Sequence, residues 1–412
     1  MRSALAHRDF RIFWTGALVS NTGSWMQRVT VPAVLYELTR SASWVGFAGF
    51  VQFLPVVILS PVGGWLADRF PRRYVLFVSQ AATALVATAL WWGWVTGRAG
   101  PGFIVVSMAL TGAAFGLSGP AWQAFVSDLV PPESLFSAVA LNSAQFNASR
   151  AAGPALAGVV MGWWGPGWAF ALNAISFAAV LAALLMVGVD ARGGGASRPL
   201  GGFVEALRWT RRNRGVVATL VVVAALGLTG GPLIQLLVVF ARDVFEVGDE
   251  AYGLLGASMG IGAVAVAPWL ARTRAVSRSR LVLWGTVAHA ASLVGLATTT
   301  DFAAGVAALL VAGASWLTLA SALNTTIQVQ VTDDVRGRVL ALYLMVLTLA
   351  MPLGSLIQGA AVDAFGPRVP VATAGVLFAA VGIASNSTGL LASMDSGSAA
   401  AADGAHVSSR SS

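Results

Sequence analysis

The chain has no cysteine and no lysine, and little charge of any kind: Asp, Glu, Lys and Arg together make up 10% of its 412 residues. Without cysteine there is no disulfide, no thiolate nucleophile and no cysteine metal site. The three histidines, His7, His289 and His406, are scattered along the chain, so neither a metal-ligand spacing nor a nucleophile–base pair stands out. A membrane-embedded enzyme would need one of those constellations, and no catalytic or metal-binding residue is assigned. Acids are also missing from the middle of the apolar runs, because Glu37, Asp68, Asp128 and Asp363 all fall near run ends.

What is present is apolar. Hydrophobic residues make up 57% of the chain, mean hydropathy is +0.76, and unbroken apolar runs recur from one end to the other. No soluble domain has this composition, so the chain is an integral membrane protein with many spans. The runs predict twelve helices, at 10–38, 44–67, 74–96, 103–125, 135–163, 168–189, 216–241, 252–271, 281–299, 302–331, 339–364 and 369–391. The short basic segment before the first run lacks a small-residue cleavage site and reads as the lead into a retained span.

All 25 basic residues are arginine and the net charge is +8. In a soluble protein that excess would suggest nucleic acid; here the arginines gather in alternate loops, so topology accounts for them. With both termini in the cytosol, nineteen of the 25 arginines fall inside, only Arg40, Arg98, Arg242 and Arg368 fall outside, and Arg28 and Arg150 lie within spans. The organisation expected is therefore an N-terminal six-helix bundle at 1–189, a cytosolic linker at 190–214, a C-terminal six-helix bundle at 215–391 and a disordered cytosolic tail at 392–412. Within the linker, 203–209 reads as a short amphipathic helix on the inner leaflet.

Three stretches carry more than topology. Between the second and third spans, Gly64-Trp65-Leu66-Ala67-Asp68-Arg69-Phe70-Pro71-Arg72-Arg73-Tyr74-Val75-Leu76 forms a tight charged connection. Gly64 permits close helix approach, and Asp68 offers a carboxylate to Arg72 or to the positive N-terminal end of a facing helix. In the fifth span, Gly153 and Gly158 flank Pro154, giving close contacts and a missing backbone donor. A third charged turn, Thr332-Asp333-Asp334-Val335-Arg336-Gly337-Arg338, precedes the eleventh span. Shifting the fifth span by 201 positions lays Ala140-Leu141 on Ala341-Leu342, Gly153 on Gly354, Gly158 on Gly359 and Gly165-Pro166 on Gly366-Pro367. Two related halves would leave such a trace.

The first connection resembles the signature loop of the major facilitator superfamily, G-x-L-x-D-R-x-G-R-[KR]-x-x-L, with Pro71 where that family has Gly. The Gly153-Pro154 segment resembles the glycine-proline motif of its exporters, and the third turn resembles one found in exporters of drugs and siderophores. The resemblance extends over about 9–391 and implies an all-α membrane fold of two six-helix pseudo-repeats. It further implies a secondary active transporter working by alternating access, exporting a drug- or siderophore-like molecule, with uptake or a non-transporting receptor as the alternatives. Gly64, Asp68, Arg69, Arg72, Arg73, Gly153, Pro154, Gly158, Asp334, Arg336 and Arg338 then belong to the conformational lock.

In that family the first, fourth, seventh and tenth spans surround a central cavity. Its candidate contacts here are Asn21, Trp25 and Arg28, which share one face of the first span, together with Trp122, Gln123, Arg150, Gln235, Asn324 and Gln328. An arginine in mid-span without an acid must be satisfied by amides, carbonyls or the ligand, which favours an anionic or oxygen-rich substrate. The partners implied are a small molecule and the bilayer of a bacterial plasma membrane, not nucleic acid, for a monomeric chain. No cofactor is implied, and the proton motive force is the energy source available.

Overall fold

The computed structural model describes residues 3–189, 201–272 and 276–395, without the side chains of 201–206 and 333–334. Residues 190–200 of the linker expected at 190–214, most of the expected tail, and the Asp334 side chain lie outside the described residues. The described chain contains helices and no strand. They are α1 (Arg8–Thr39), α2 (Ala42–Arg69), α3 (Arg72–Val95), α4 (Pro101–Asp128), α5 (Leu135–Trp164), α6 (Pro166–Met186), α7 (Gly201–Arg212), α8 (Arg214–Gly230), α9 (Leu233–Val239), α10 (Asp249–Arg272), α11 (Arg278–Thr298), α12 (Phe302–Gln330), α13 (Asp333–Phe365) and α14 (Arg368–Ser387).

Ten spans meet the length and apolarity needed to cross a bilayer, with Arg214–Val244 counted as one. The two long helices that fall short are α1 and α5, the polar ones, and with them the described residues hold the twelve expected. One span departs from expectation: the helix expected over 216–241 is broken between α8 and α9 and closes in a π-turn, Phe240–Val244. Gly231-Pro232 explains the break, since Pro232 has no N–H to continue the ladder. The amphipathic helix expected at 203–209 is α7, a few residues longer.

Helix ends follow local chemistry. Pro71 forces Phe70 into extended backbone, φ −113° and ψ 157°, which ends α2, and its own φ of −54° starts α3. Gly165, at φ +84°, ends α5, and Pro166 opens α6 at once.

The helices form two compact units. The first holds α1–α6 with Ile234–Ile261 and Ser355–Pro367; the second holds α7, α8, Gly262–Gly354 and the chain from Arg368. The first unit therefore reaches past the boundary expected at 189, for a reason visible in the glycines. A Cβ on Gly158 would stand 2.7 Å from Cα of Gly253, and one on Gly359 would stand 2.7 Å from the Ala42 carbonyl oxygen. Backbones meet directly there, so α10 and the end of α13 belong with α5 and α2.

The 201-residue offset is thus a structural one. Gly153 abuts Trp25 and Thr22 of α1, whereas Gly354 abuts Leu228 of α8, the first span of the other half. Gly158 and Gly359 each meet the second span of the opposite half, α10 and α2. Large apolar side chains such as Ile58, Leu85, Phe136 and Trp284 remain exposed, as faces turned to lipid require.

Candidate functional site

The polarity of α1 and α5 has a use. In the first unit they face a cavity of about 460 Å³, completed by α2 and α4 with Gln80 and Thr83 of α3 and Asn173 and Phe177 of α6. Its wall is rich in amides: Asn21, Gln27, Gln52, Gln80, Gln123, Asn142, Gln145, Asn147 and Asn173. Among the described residues Arg28 is the only one lining the cavity that carries a formal charge.

Some of these amides are spent on structure. Asn173 donates to Oε1 of Gln27 at 2.6 Å, Gln145 donates to the Ala17 carbonyl at 3.1 Å, and Asn147 donates to the Ser143 carbonyl at 2.8 Å. Others stay available, since Gln52, Gln80, Gln123 and Asn142 make no hydrogen bond among the described residues. They ring the cavity with donors and acceptors that match a polar, oxygen-bearing ligand.

Trp25 is the centre of charge. The Arg28 Cζ lies 4.9 Å from its ring centroid and 5.9 Å from that of Phe53, and the Arg150 Cζ lies 5.9 Å from the same Trp25 ring. Phe146 meets Trp25 edge-on at 5.8 Å. Each cation–π contact contributes about 0.5–2 kcal/mol, but the two guanidinium groups repel each other across the indole. Among the described residues no carboxylate pairs with either arginine, and the buried Arg150 Nε has no hydrogen-bond partner. Among the described residues the site holds two positive charges and no negative one.

Of the residues expected from sequence, Asn21, Trp25, Arg28, Trp122 and Gln123 line this cavity, while Arg150 reaches it through Trp25. Gln235 is placed elsewhere: it is packed on Gly49 of α2, with Oε1 buried and unpartnered. Asn324 and Gln328 lie on α12 in the second unit, where Gln328 donates to Asn324 at 2.5 Å. Gln27, Gln52, Gln80, Asn142, Gln145 and Asn173 were not expected. Asn142, Gln145 and Ser149 share a face of α5 at helical spacing, a legible signal; Gln52 and Gln80 are lone amides in apolar runs, with nothing to say which way each faces.

The residues expected to form the lock are arranged differently from the expectation. Arg72 gives Nη1 to both oxygens of Asp128 at 2.8 Å, with both side chains 17% exposed, and no pair with Asp68 forms. Asp128 closes α4 opposite the start of α3 and lies nearer than a residue of the preceding helix end. A Cβ on Gly64 would meet nothing within 4 Å; the close approach is one residue earlier, where a Cβ on Gly63 would stand 2.5 Å from the Gly116 carbonyl. Gly63, not Gly64, faces α4.

Arg69 sits over Trp65 at 5.7 Å, Arg73 donates to the Val187 carbonyl at 2.5 Å, and Arg336 donates to the Val331 carbonyl at 3.1 and 3.2 Å. Arg338 lies in the first turns of α13, and Pro154 packs on Gly256.

A second cluster closes the helix ends that the arginine census puts outside. The Tyr36 hydroxyl donates to Asp243, that of Tyr252 to the Val29 carbonyl at 2.9 Å, and the Trp163 indole to Glu250 at 2.7 Å. Asp363 accepts from the Ala42 and Ser43 amides and the Ser41 hydroxyl at 2.6, 3.0 and 2.6 Å.

Residues 2–408 match the family described as transmembrane secretion effector. The chain belongs to this family of the major facilitator superfamily. It is a multi-pass membrane transporter and not an enzyme. It is similar to the staphyloferrin A transporter of Staphylococcus aureus, 24% identical over 86% of this chain and 90% of the relative. It is likewise similar to macrolide efflux protein A of Streptococcus pyogenes, 23% identical over 87% and 90%. Among solved structures, a POT family transporter in complex with a thioalcohol-conjugated peptide shares the fold, with a TM-score of 0.76 and 12% identity over 91% of this chain and 95% of that one.

Proposed function

We propose that this transporter exports an anionic, oxygen-rich small molecule across the bacterial plasma membrane by alternating access, with both termini in the cytosol. The observation that carries the reading is the pair of arginines flanking Trp25 with no carboxylate to balance them. An uncompensated charge inside a membrane protein is costly, and an anionic ligand would remove that cost on binding. The free amides of the wall suit carbonyl, carboxylate and hydroxyl oxygens. A relative named as a staphyloferrin A transporter supports the size class, and one named for macrolide efflux supports the direction. No cofactor takes part, and the proton motive force supplies the energy.

The test uses carboxyfluorescein as anion and chloramphenicol as neutral comparison in everted membrane vesicles. The parent is expected to concentrate carboxyfluorescein, and Arg28→Gln and Arg150→Gln each to lower its uptake about tenfold, the equivalent of one lost charge-assisted hydrogen bond, at unchanged folded yield. If both variants take up carboxyfluorescein at the parent rate, the arginines are structural and the charge reading fails. A parent that concentrates only chloramphenicol would replace the anion by a neutral amphiphile held on Trp25, Phe53 and Phe146.

A further inference from the structure

The second unit contains a titratable group that the cavity leaves unused. His289 on α11 is 0% exposed. Gly230 faces it from α8, Ala312, Ser315 and Trp316 face it from α12, and Phe378 faces it from α14. On its own helix, Thr286 and Ser292 have their hydroxyls bonded to backbone carbonyls. Among the described residues no acidic or other basic side chain faces the ring.

Its hydrogen-bond partners favour one tautomer. The Ser315 hydroxyl donates to the Ala312 carbonyl at 3.0 Å, which spends its one proton. The 3.0 Å contact of Ser315 Oγ with His289 Nδ1 is then an N–H given by the imidazole. Nδ1 holds the proton. Nε2 is left as a bare lone pair, fully buried and without a partner.

In front of that lone pair lies the interruption of the seventh span. A Cβ on Gly230 would overlap Nε2 and stand 3.2 Å from Cε1, so the ring rests directly on the last residue of α8. The chain then passes through Gly231 and Pro232, with the Gly231 amide reaching back five residues to the Leu226 carbonyl at 3.3 Å. At Leu233 it leaves the second unit for the first.

We propose that His289 is a proton-binding site of this transporter, taking a proton on Nε2 when the α8–α9 break opens and releasing it when the break closes on the neutral ring. Closed, the pocket offers Nε2 no acceptor, so an imidazolium there would carry an unpaired charge and an unsatisfied N–H. Protonation and closure therefore exclude each other, and a proton shifts the equilibrium by its different affinity for the two states. Imidazole is suited to this because its ordinary pKa lies near physiological pH.

The full chain in lipid nanodiscs, labelled with ¹⁵N-histidine and carrying His7→Gln and His406→Gln, leaves one imidazole to observe. As pH falls from about 8 to about 4, bracketing the ordinary imidazole range, the spectrum should begin with Nδ1 protonated and Nε2 bare, and Nε2 should then gain a proton. Over the same range, amide exchange in 226–231 and 233, corrected for its intrinsic pH dependence, should accelerate by about tenfold. In His289→Gln that acceleration should vanish.

Three results would overturn the proposal: Nε2 already protonated at the start, a ring that stays neutral throughout, or an exchange profile unchanged in His289→Gln. The first two are read without altering His289, so a poorly folded variant leaves the test intact.

Discussion

The first amides of α2 have no cap of their own, since the Ser41 side chain makes no capping hydrogen bond. Asp363, 322 residues away from Ser41 in sequence, supplies it from the end of α13 through the three contacts described above. Asp363→Ala removes all three. Loss of a capping oxygen costs about 0.5–2 kcal/mol, and loss of a negative charge at an exposed helix N-terminus costs about 0.3–1 kcal/mol. When α2 and α13 part, water satisfies both sides, so only the difference biases the equilibrium. That difference is about 1 kcal/mol, or roughly fivefold in population.

Asp363→Asn keeps one acceptor oxygen and should produce less than half the effect. The chain has no native cysteine, so spin labels at Trp44→Cys and Ala364→Cys report the separation of these two ends by pulsed electron resonance. The short-distance population should lose about fivefold relative to the long one in Asp363→Ala, at equal folded yield. An unchanged distribution would mean that the cap is incidental and that Tyr36, Glu250 and the glycine contacts hold this face without it.

Other perturbations separate static pairs from moving ones. Asp128→Asn strands the largely buried Arg72 and should cost about 1–3 kcal/mol in thermal or denaturant unfolding. Asp68→Asn breaks no ion pair with Arg72 and should leave the melting temperature unchanged while lowering carboxyfluorescein transport; an equal loss of stability in both would place Asp68 in the static network. Gly158→Leu and Gly359→Leu push α5 off α10 and α13 off α2, so each should deplete the short-distance population of the same spin-label pair, whereas Gly64→Ala should leave that population alone. Depletion by Gly64→Ala would show a close approach at that glycine.

The fold was largely legible because each span must be apolar over its whole length, and the 201-residue offset survives in glycines that only close packing explains. The lock was legible only as a motif. Which carboxylate Arg72 would choose depends on where Asp128 ends up, 56 residues on, and no local pattern carries that information. Cavity residues were legible where polar groups recur on one helical face, as Asn21, Trp25 and Arg28 do. Lone amides such as Gln52 and Gln80 were not, because an amide can face a cavity or bridge two helices with the same sequence signal. His289 was passed over as an isolated histidine; its meaning comes from Ser315 and Gly230, on two other helices.

The same offset shows where the two halves part company. Adding 201 sends Gly153 and Gly158 to glycines, but it sends Trp25, Arg28 and Arg150 to Leu226, Thr229 and Met351. In reverse it sends His289 to Thr88 and Gly230 to Val29. The repeat has kept what helix contacts need and discarded symmetry in what binds charge. Two symmetric arginine sites would double an uncompensated positive charge that one ligand could not neutralise, so concentrating it in one half is the less costly arrangement in a membrane.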